Sequence, residues 1–344
     1  MDKTNKIIVG ISIGDLNGIG IEVILKTFQD KRMLEFCTPV LFGSTKVVSY
    51  HKKAINSEID IHGISEISQI APNKINLLNI WREEVPIEFG QATKIAGQYA
   101  AKSLESATKY LKEKKIDFLV TAPINKETIQ SDAFNFPGHT EFLQSKLAGE
   151  SLMILMTAEI KVGLITGHIP VSKIAETITP DLIKKKVEIM YRSLVRDFAI
   201  NKPKIAVLGL NPHNGDQGII GREEQEMILP TLKEIQETGK LVFGPYAADG
   251  FFGAESYKQF DGVLAMYHDQ GLAPFKALSF GKGVNYTAGL SEIRTSPDHG
   301  TAFEIAGKGT ANETSFKEAL FTGLKIFKTR KEYTELTENP LLVK

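Results

Sequence analysis

Residues 161–168 read KVGLITGH, residues 204–213 read KIAVLGLNPH and residues 262–269 read GVLAMYHD. Each is a short apolar run without polar alternation, and each runs into a turn that carries a histidine. A strand that is apolar on both sides is buried on both faces, as in a parallel sheet covered by helices. Six further runs have much the same character: Ile7–Ile13, Val40–Phe42, Asn76–Ile80, Asp117–Thr121, Leu152–Thr157 and Leu241–Gly244. Helix-length amphipathic stretches lie between them. Ala100, Leu104, Ala107 and Leu111 make one apolar face, and Ile183, Val187, Met190 and Leu194 make another. The second helix has Thr179 as its expected N-cap and Pro180 at its first position. Strand–helix alternation of this kind predicts an α/β protein with a largely parallel sheet. The last segment, Lys328–Lys344, is charged and carries Pro340, which predicts a surface helix ending in a loose tail.

The chain has 344 residues. Folding at this size removes roughly 75% of the unfolded surface, enough for one large domain or two lobes of about 150 residues. Hydrophobic residues are 42% and charged residues 24%, which excludes disordered, collagen-like and coiled-coil classes. Forty-one basic residues balance 41 acidic ones, which argues against a general nucleic-acid binder. The single cysteine, Cys37, leaves no intrachain disulfide or cysteine-rich zinc site to be made. No apolar stretch is long enough to span a membrane, and Ile7–Ile13 is too short for a secretory signal. The expectation is a cytoplasmic protein.

Seven histidines are present. His51 and His62 lie in ordinary polar stretches and read as solvated loop residues. The other five stand in glycine-punctuated turns. His168, His213 and His268 each follow an expected strand, and ligands of open α/β sheets bind beyond the carboxyl ends of the strands. Three imidazoles so placed could share one metal ion with an open coordination position, the catalytic zinc arrangement. Three unrelated histidines would give the same pattern, and the spacings of 45 and 55 residues carry no motif. Asp249 and Asp269 could orient such imidazoles or complete the shell.

The turn GDLNGIGIE, Gly14–Glu22, follows the first strand. Its glycines do not match the dinucleotide fingerprint and no P-loop Gly-Lys-Ser/Thr follows. It reads as a glycine-rich strand–helix turn that could touch an anion. His139 and Thr140, in PGHTEF, sit at an expected helix start suited to phosphate or carboxylate. Lys276 follows His268 by eight residues, and Arg294 reads as a loop residue before Ser296-Pro297.

Taken in order, GDLNGIG from Gly14, TAPINK from Thr121, PGHTEFL from Pro137, TGHIPVS from Thr166, LNPHNGDQGIIGREE from Leu210, MYHDQGLAPFK from Met266 and SPDHGTAFEIAGKG from Ser296 resemble the 4-hydroxythreonine-4-phosphate dehydrogenase family of vitamin B6 biosynthesis. The resemblance runs over roughly residues 6–328. The block from His299 to Asn312 also resembles the adenine-side loop of isocitrate and isopropylmalate dehydrogenases, with Ala302-Phe303-Glu304 where those enzymes carry Ala-Pro-Asp. The family's first motif usually has proline at the positions of Leu16 and Ile21, and its later one has proline where this chain has Ala273 before Pro274.

The resemblance implies two α/β/α lobes around a cleft, isocitrate/isopropylmalate dehydrogenase-like and not a Rossmann domain. One lobe would comprise residues 1–130 with 300–344. The other, 131–299, would carry the metal, substrate and dimer contacts. It implies metal ligation by His168, His213 and His268, substrate contacts from His139, Thr140, Lys276, Asn285 and Arg294, and a homodimer with the metal at the subunit boundary. NAD or NADP would bind at His299, Gly300, Thr301, Gly307 and Gly309. The divalent ion would be zinc, with magnesium or cobalt as alternatives. The implied reaction oxidises the C3 hydroxyl of 4-phosphooxy-L-threonine to a β-keto acid that decarboxylates to 3-amino-2-oxopropyl phosphate. Phosphorylated threonate or erythronate is the alternative substrate. A three-histidine zinc hydrolase and a metal-free binder of phosphorylated acids are the readings from other classes.

Overall fold

The structure is a computed structural model and describes residues 6–132 and 134–339. Its strands are β1 (Ile8–Ser12), β2 (Thr38–Gly43), β3 (Ile61–Ile64), β4 (Ile75–Asn79), β5 (Phe118–Thr121), β6 (Gly149–Met156), β7 (Lys161–Leu164), β8 (Lys204–Leu208), β9 (Leu241–Tyr246), β10 (Gly262–Ala265), β11 (Val284–Leu290) and β12 (Arg294–Pro297). The chain divides into two compact units, Met1–Ala148 with Ser291–Lys325, and Gly149–Leu290 with Ile326–Lys344.

In the first unit the strands run in the order β3-β4-β2-β1-β5-β12, every pairing parallel. Strands β2, β5 and β12 are buried at every residue, as strands covered on both faces must be. The helix Lys94–Lys112 lays Ala100, Leu104, Ala107 and Leu111 inward, the face its sequence spacing predicts. Thr93 caps it by accepting from the Ala96 N–H at 3.3 Å.

The second unit has the order β11-β6-β7-β10-β8-β9. Strands β7, β10, β8 and β9 pair in parallel, whereas β6 runs antiparallel to both β7 and β11, so the sheet is largely parallel, as expected, with β6 the exception. The helix Pro180–Arg196 buries Ile183, Val187, Met190 and Leu194, and Thr179 accepts from Leu182 N–H at 3.2 Å. Fully burying each such side chain is worth about 1.5–3 kcal/mol before the cost of ordering it.

All nine expected strands form. Three others were not expected, and one of them corrects a reading: Arg294 opens strand β12 and is buried, rather than lying in a loop. The helix at the end begins at Thr314, well before Lys328, and runs to Thr337. The expected tail from 340 onward falls outside the described residues. Among the described residues no helix is long and apolar enough to cross a membrane.

Candidate active site

Strands β7, β10 and β8 are neighbours and parallel, so their carboxyl ends lie side by side at roughly 4.8 Å spacing. His168 follows β7, His268 follows β10 and His213 follows β8. Two polar side chains tie these ends together through one backbone unit, that of Met266. The Thr166 hydroxyl donates to the Met266 carbonyl at 2.7 Å, beside the Thr166 N–H at 3.1 Å. The Met266 N–H donates to Gln270 Oε1 at 2.7 Å, and Gln270 Nε2 donates to the Gly209 carbonyl at 2.6 Å. Thr166 therefore couples the His168 and His268 ends, and Gln270 couples the His268 and His213 ends.

The rings of His168 and His268 lie 5.5 Å apart between centroids. Asp269 Oδ1 is 2.6 Å from His268 Nδ1, which leaves Nε2 as the ring atom open to a ligand. His213 faces a cavity of about 480 Å³ that Asp249, Tyr267, Gln270 and Pro274 also line. It begins a run of five residues, His213–Gln217, with φ of 52°, 54°, 75°, 42° and 56°. Left-handed backbone costs about 1–2 kcal/mol for each non-glycine residue, so something must hold this turn. Glu224, 2% exposed, does so at its entry. Its carboxylate accepts from the Leu210 and Asn211 N–H groups at 2.7 Å each and from Asn211 Nδ2 at 3.0 Å. Asn214 Nδ2 adds a bond to the Pro245 carbonyl at 2.9 Å.

Among the described residues, no three His, Cys, Asp or Glu side chains are gathered as a ready-made ligand set. The donor chemistry nevertheless suits a divalent ion. Three neutral-capable imidazoles stand at adjacent strand ends, and one has its second nitrogen engaged by a carboxylate.

A second group of expected site residues lies in the first unit. Arg294 is 2% exposed, and its Nε and Nη2 donate to Thr121 Oγ1 at 3.0 and 2.5 Å. Burial pushes its guanidinium down to about 9, partly offset by nearby Glu141. His139 opens the helix His139–Lys146 with Thr140, after Gly138 as N-cap. Burial, then the charges of Arg294 and Lys126, hold the His139 imidazole well below its usual range, so it is neutral near pH 7. Its Nε2 is shut from solvent with no protein hydrogen-bond partner among the described residues. A buried guanidinium, a neutral imidazole and a helix start make an environment suited to an anion. Lys276 and Asn285 belong to the second unit: Lys276 is exposed on the helix His268–Ser279, and Asn285 is half-buried on β11 with Oδ1 out of reach of solvent.

The expected cofactor residues form a loop in the first unit. His299 Nδ1 lies 3.0 Å from the Gly300 carbonyl, and the Thr301 carbonyl accepts from the Ile19 N–H at 3.0 Å. Gly307 has φ 73° and packs so closely that an added Cβ would lie 2.7 Å from the Phe89 ring. Four N–H groups of the Gly14–Glu22 turn are already bonded to protein oxygens: Asp15 to Pro123 O, Asn17 to Asp15 Oδ1, Gly18 to Asp15 O and Ile19 to Thr301 O. Those donors are not available to an anion.

His51 corrects another reading. It sits within the helix Thr45–Ala54, buried, with Nε2 2.9 Å from the Leu16 carbonyl and its ring edge-on to Phe89. Burial pushes its pKa down to about 4, so it is a neutral core residue. His62 lies on β3 and is half-buried rather than in a loop. Sequence reasoning also passed over Thr166, Gln270 and Glu224. Their one signal was position, a hydrogen-bonding side chain in the first turn beyond a strand end or just past a histidine loop.

A family model described as "Pyridoxal phosphate biosynthetic protein PdxA" matches residues 35–322. A 4-hydroxythreonine-4-phosphate dehydrogenase of Bacteroides thetaiotaomicron is 52% identical over 341 residues, covering 98% of this chain and 94% of that protein. A D-threonate 4-phosphate dehydrogenase of Cupriavidus necator is 37% identical over 324 residues, covering 93% and 97%. The crystal structure of a 4-hydroxythreonine-4-phosphate dehydrogenase of Klebsiella pneumoniae is similar at a TM-score of 0.80 and 31% identity, covering 95% of this chain and 99% of that one.

Proposed function

Because this chain belongs to the PdxA family of pyridoxal phosphate biosynthetic proteins, we propose that it is a 4-hydroxythreonine-4-phosphate dehydrogenase. It oxidises the C3 hydroxyl of 4-phosphooxy-L-threonine, with NAD or NADP as the two-electron acceptor. The β-keto acid formed loses CO₂ to give 3-amino-2-oxopropyl phosphate. The observation that carries this reading is the clamp that brings the ends of β7, β10 and β8, and the histidines on them, to one edge of the second unit.

His168, His213 and His268 would hold a divalent ion, zinc by the nature of the donors. Such an ion supplies Lewis acidity, which lowers the pKa of an alcohol. Asp269 engages His268 Nδ1 and leaves its Nε2 as the ring atom available to the ion. In the first unit, Arg294 and the start of the helix at His139 bind negative charge, phosphate or carboxylate. Neutral His139 offers Nε2 as a donor or acceptor without adding a charge. Thr121 fixes the guanidinium plane of Arg294. Lys276 and Asn285 supply a further cation and a further amide to the substrate. The nicotinamide cofactor supplies the oxidising equivalent, and His299–Gly309 would hold its adenosine half. We assign the working unit as a homodimer with the metal site at the subunit boundary, and the reaction to the cytoplasm.

The name of the Cupriavidus relative favours a second reading, oxidation of D-threonate 4-phosphate by the same groups. A metallohydrolase would use the histidines but leave the 299–309 loop without a task. Assay with both phosphorylated acids and both nicotinamide cofactors tests the proposal. Cofactor reduction with 4-phosphooxy-L-threonine supports it. Reduction with D-threonate 4-phosphate alone moves the assignment to the second substrate.

A further inference from the structure

The motif GDLNGIGIE, Gly14–Glu22, has no task in the reaction above, yet its surroundings in the first unit supply one. Asn17 grips the neighbouring segment 88–91: Glu88 N–H donates to Asn17 Oδ1 at 2.8 Å, Gly90 N–H to Asn17 O at 2.9 Å, and Asn17 Nδ2 to Gln91 O at 2.9 Å. That segment carries Phe89, against which Gly307 packs. Gly18 lies so close to the 299–311 loop that a Cβ there would be 2.9 Å from the Thr301 carbonyl oxygen, which Ile19 already engages. One turn into the helix Gly20–Gln29, Glu22 Oε1 accepts from the Ala311 N–H at 2.8 Å. Lys26 donates to the Gly309 carbonyl at 2.9 Å and the Ala311 carbonyl at 2.6 Å.

The loop is thus held at residue 301 and at residues 309–311, and its middle rests on Phe89. Between those anchors its own bonds are local turns, Ile305 N–H to Ala302 O, Ala306 N–H to Phe303 O and Lys308 N–H to Ile305 O. Glu22 is 1% exposed, and its Oε2 has no hydrogen-bond partner among the described residues. Lys26 Nζ lies 3.9 Å from its other oxygen. A buried carboxylate so incompletely satisfied is a costly way to fill space, and an apolar side chain would pack more cheaply.

We propose that Glu22, assisted by Lys26, is a positioning residue that holds the 301–311 loop in the shape that receives the adenosine half of the nicotinamide cofactor. The inference rests on the reading of that loop as the cofactor site. Backbone groups recognise a nucleotide only while their directions are fixed. Releasing the loop lowers the binding-competent fraction and raises the apparent Kd in proportion.

The test uses the full chain and NAD titrated without substrate, followed by protein fluorescence, together with kcat at saturating NAD and thermal unfolding. Glu22→Leu is expected to raise the Kd for NAD about tenfold. Its kcat at saturation should stay nearly unchanged, because the contact is made equally in ground and transition states. Glu22→Gln keeps the acceptor for Ala311 N–H and should recover most of the affinity. If Glu22→Leu does not fold, Lys26→Met, at a mostly solvent-shielded side chain, tests the same grip, with a smaller rise expected. Gly307→Val is measured in parallel as the probe of the loop itself. A folded Glu22→Leu protein that binds NAD normally while Gly307→Val weakens binding overturns the positioning role. Normal binding in both variants overturns the cofactor reading of the loop, and the positioning role with it.

Discussion

Gln270→Ala removes the side chain that joins the His268 and His213 strand ends. The wild-type amide makes two neutral hydrogen bonds, at 2.7 Å from Met266 N–H and at 2.6 Å to Gly209 O. Each contributes about 0.5–1.5 kcal/mol net, so the loss should be about 1–3 kcal/mol of folding stability. The larger effect should be on metal binding. The left-handed turn beginning at His213 is held at its entry by Glu224 and at Asn214 by Pro245, but Gln270 sets its register against β10. Losing groups that orient ligands typically costs 10–100-fold in metal affinity. Urea unfolding of the metal-free protein measures the first quantity, and cobalt titration followed by its visible absorption measures the second. Gln270→Glu sharpens the test. It keeps the acceptor for Met266 N–H but places a carboxylate against the Gly209 carbonyl, so it should bind cobalt no better than Gln270→Ala. A Gln270→Ala protein destabilised by 1–3 kcal/mol that binds cobalt as tightly as wild type would refute the clamp as an element of the site.

Three more expectations follow from other parts of the molecule. Asp197 is 0% exposed and bonded to Arg330 Nε at 2.6 Å, Tyr286 OH at 2.5 Å and Ser193 Oγ at 2.7 Å; burial pushes its pKa up, but Arg330 and Arg196 more than offset this and the net shift is downward. Its stabilisation is therefore full above the ordinary aspartate pKa and lost as pH falls through the lower native value, so Arg330→Met should cost about 3–5 kcal/mol and move acid unfolding to higher pH, read by circular dichroism. Arg294→Lys cannot reproduce the fork on Thr121 and should lower kcat/KM for the phosphorylated substrate by about 10–100-fold with NAD affinity unchanged; equal losses for substrate and NAD would count against its role. If the metal site draws on both protomers, mixing inactive His213→Ala and His268→Ala proteins under conditions of proven subunit exchange should restore part of the activity, and its absence would place all three ligands in one chain.

The strands that could be read from the sequence were those written as unbroken apolar runs. Strand β3 (IHGI) is interrupted by His62 and Gly63, β11 (VNYTAGL) by Asn285 and Gly289, and β12 (RTSP) begins with a charge and ends in proline, so none announced itself. Burial came from tertiary packing that no local pattern encodes, which is why Arg294 looked like a solvated loop residue. His51 misled because Lys52 and Lys53 follow it, although Val47, Val48 and His51 already mark one helix face. The positions of His168, His213 and His268 after three strands were legible. That β7, β10 and β8 are adjacent was not, because strand order is a long-range property. The Gly14–Glu22 motif was visible as a motif, but its partners are distant in the chain, from Gln91, 74 residues from Asn17, to Ala311, 289 residues from Glu22.

The most direct test of the account is the stoichiometry of the reaction with 4-phosphooxy-L-threonine and NAD or NADP, with divalent metal supplied. Reduced cofactor and CO₂ should form in equal amounts, and both should disappear in His268→Ala and after chelation. Release of inorganic phosphate without cofactor reduction, or no turnover of either 4-phosphooxy-L-threonine or D-threonate 4-phosphate by the metal-loaded protein, would contradict it.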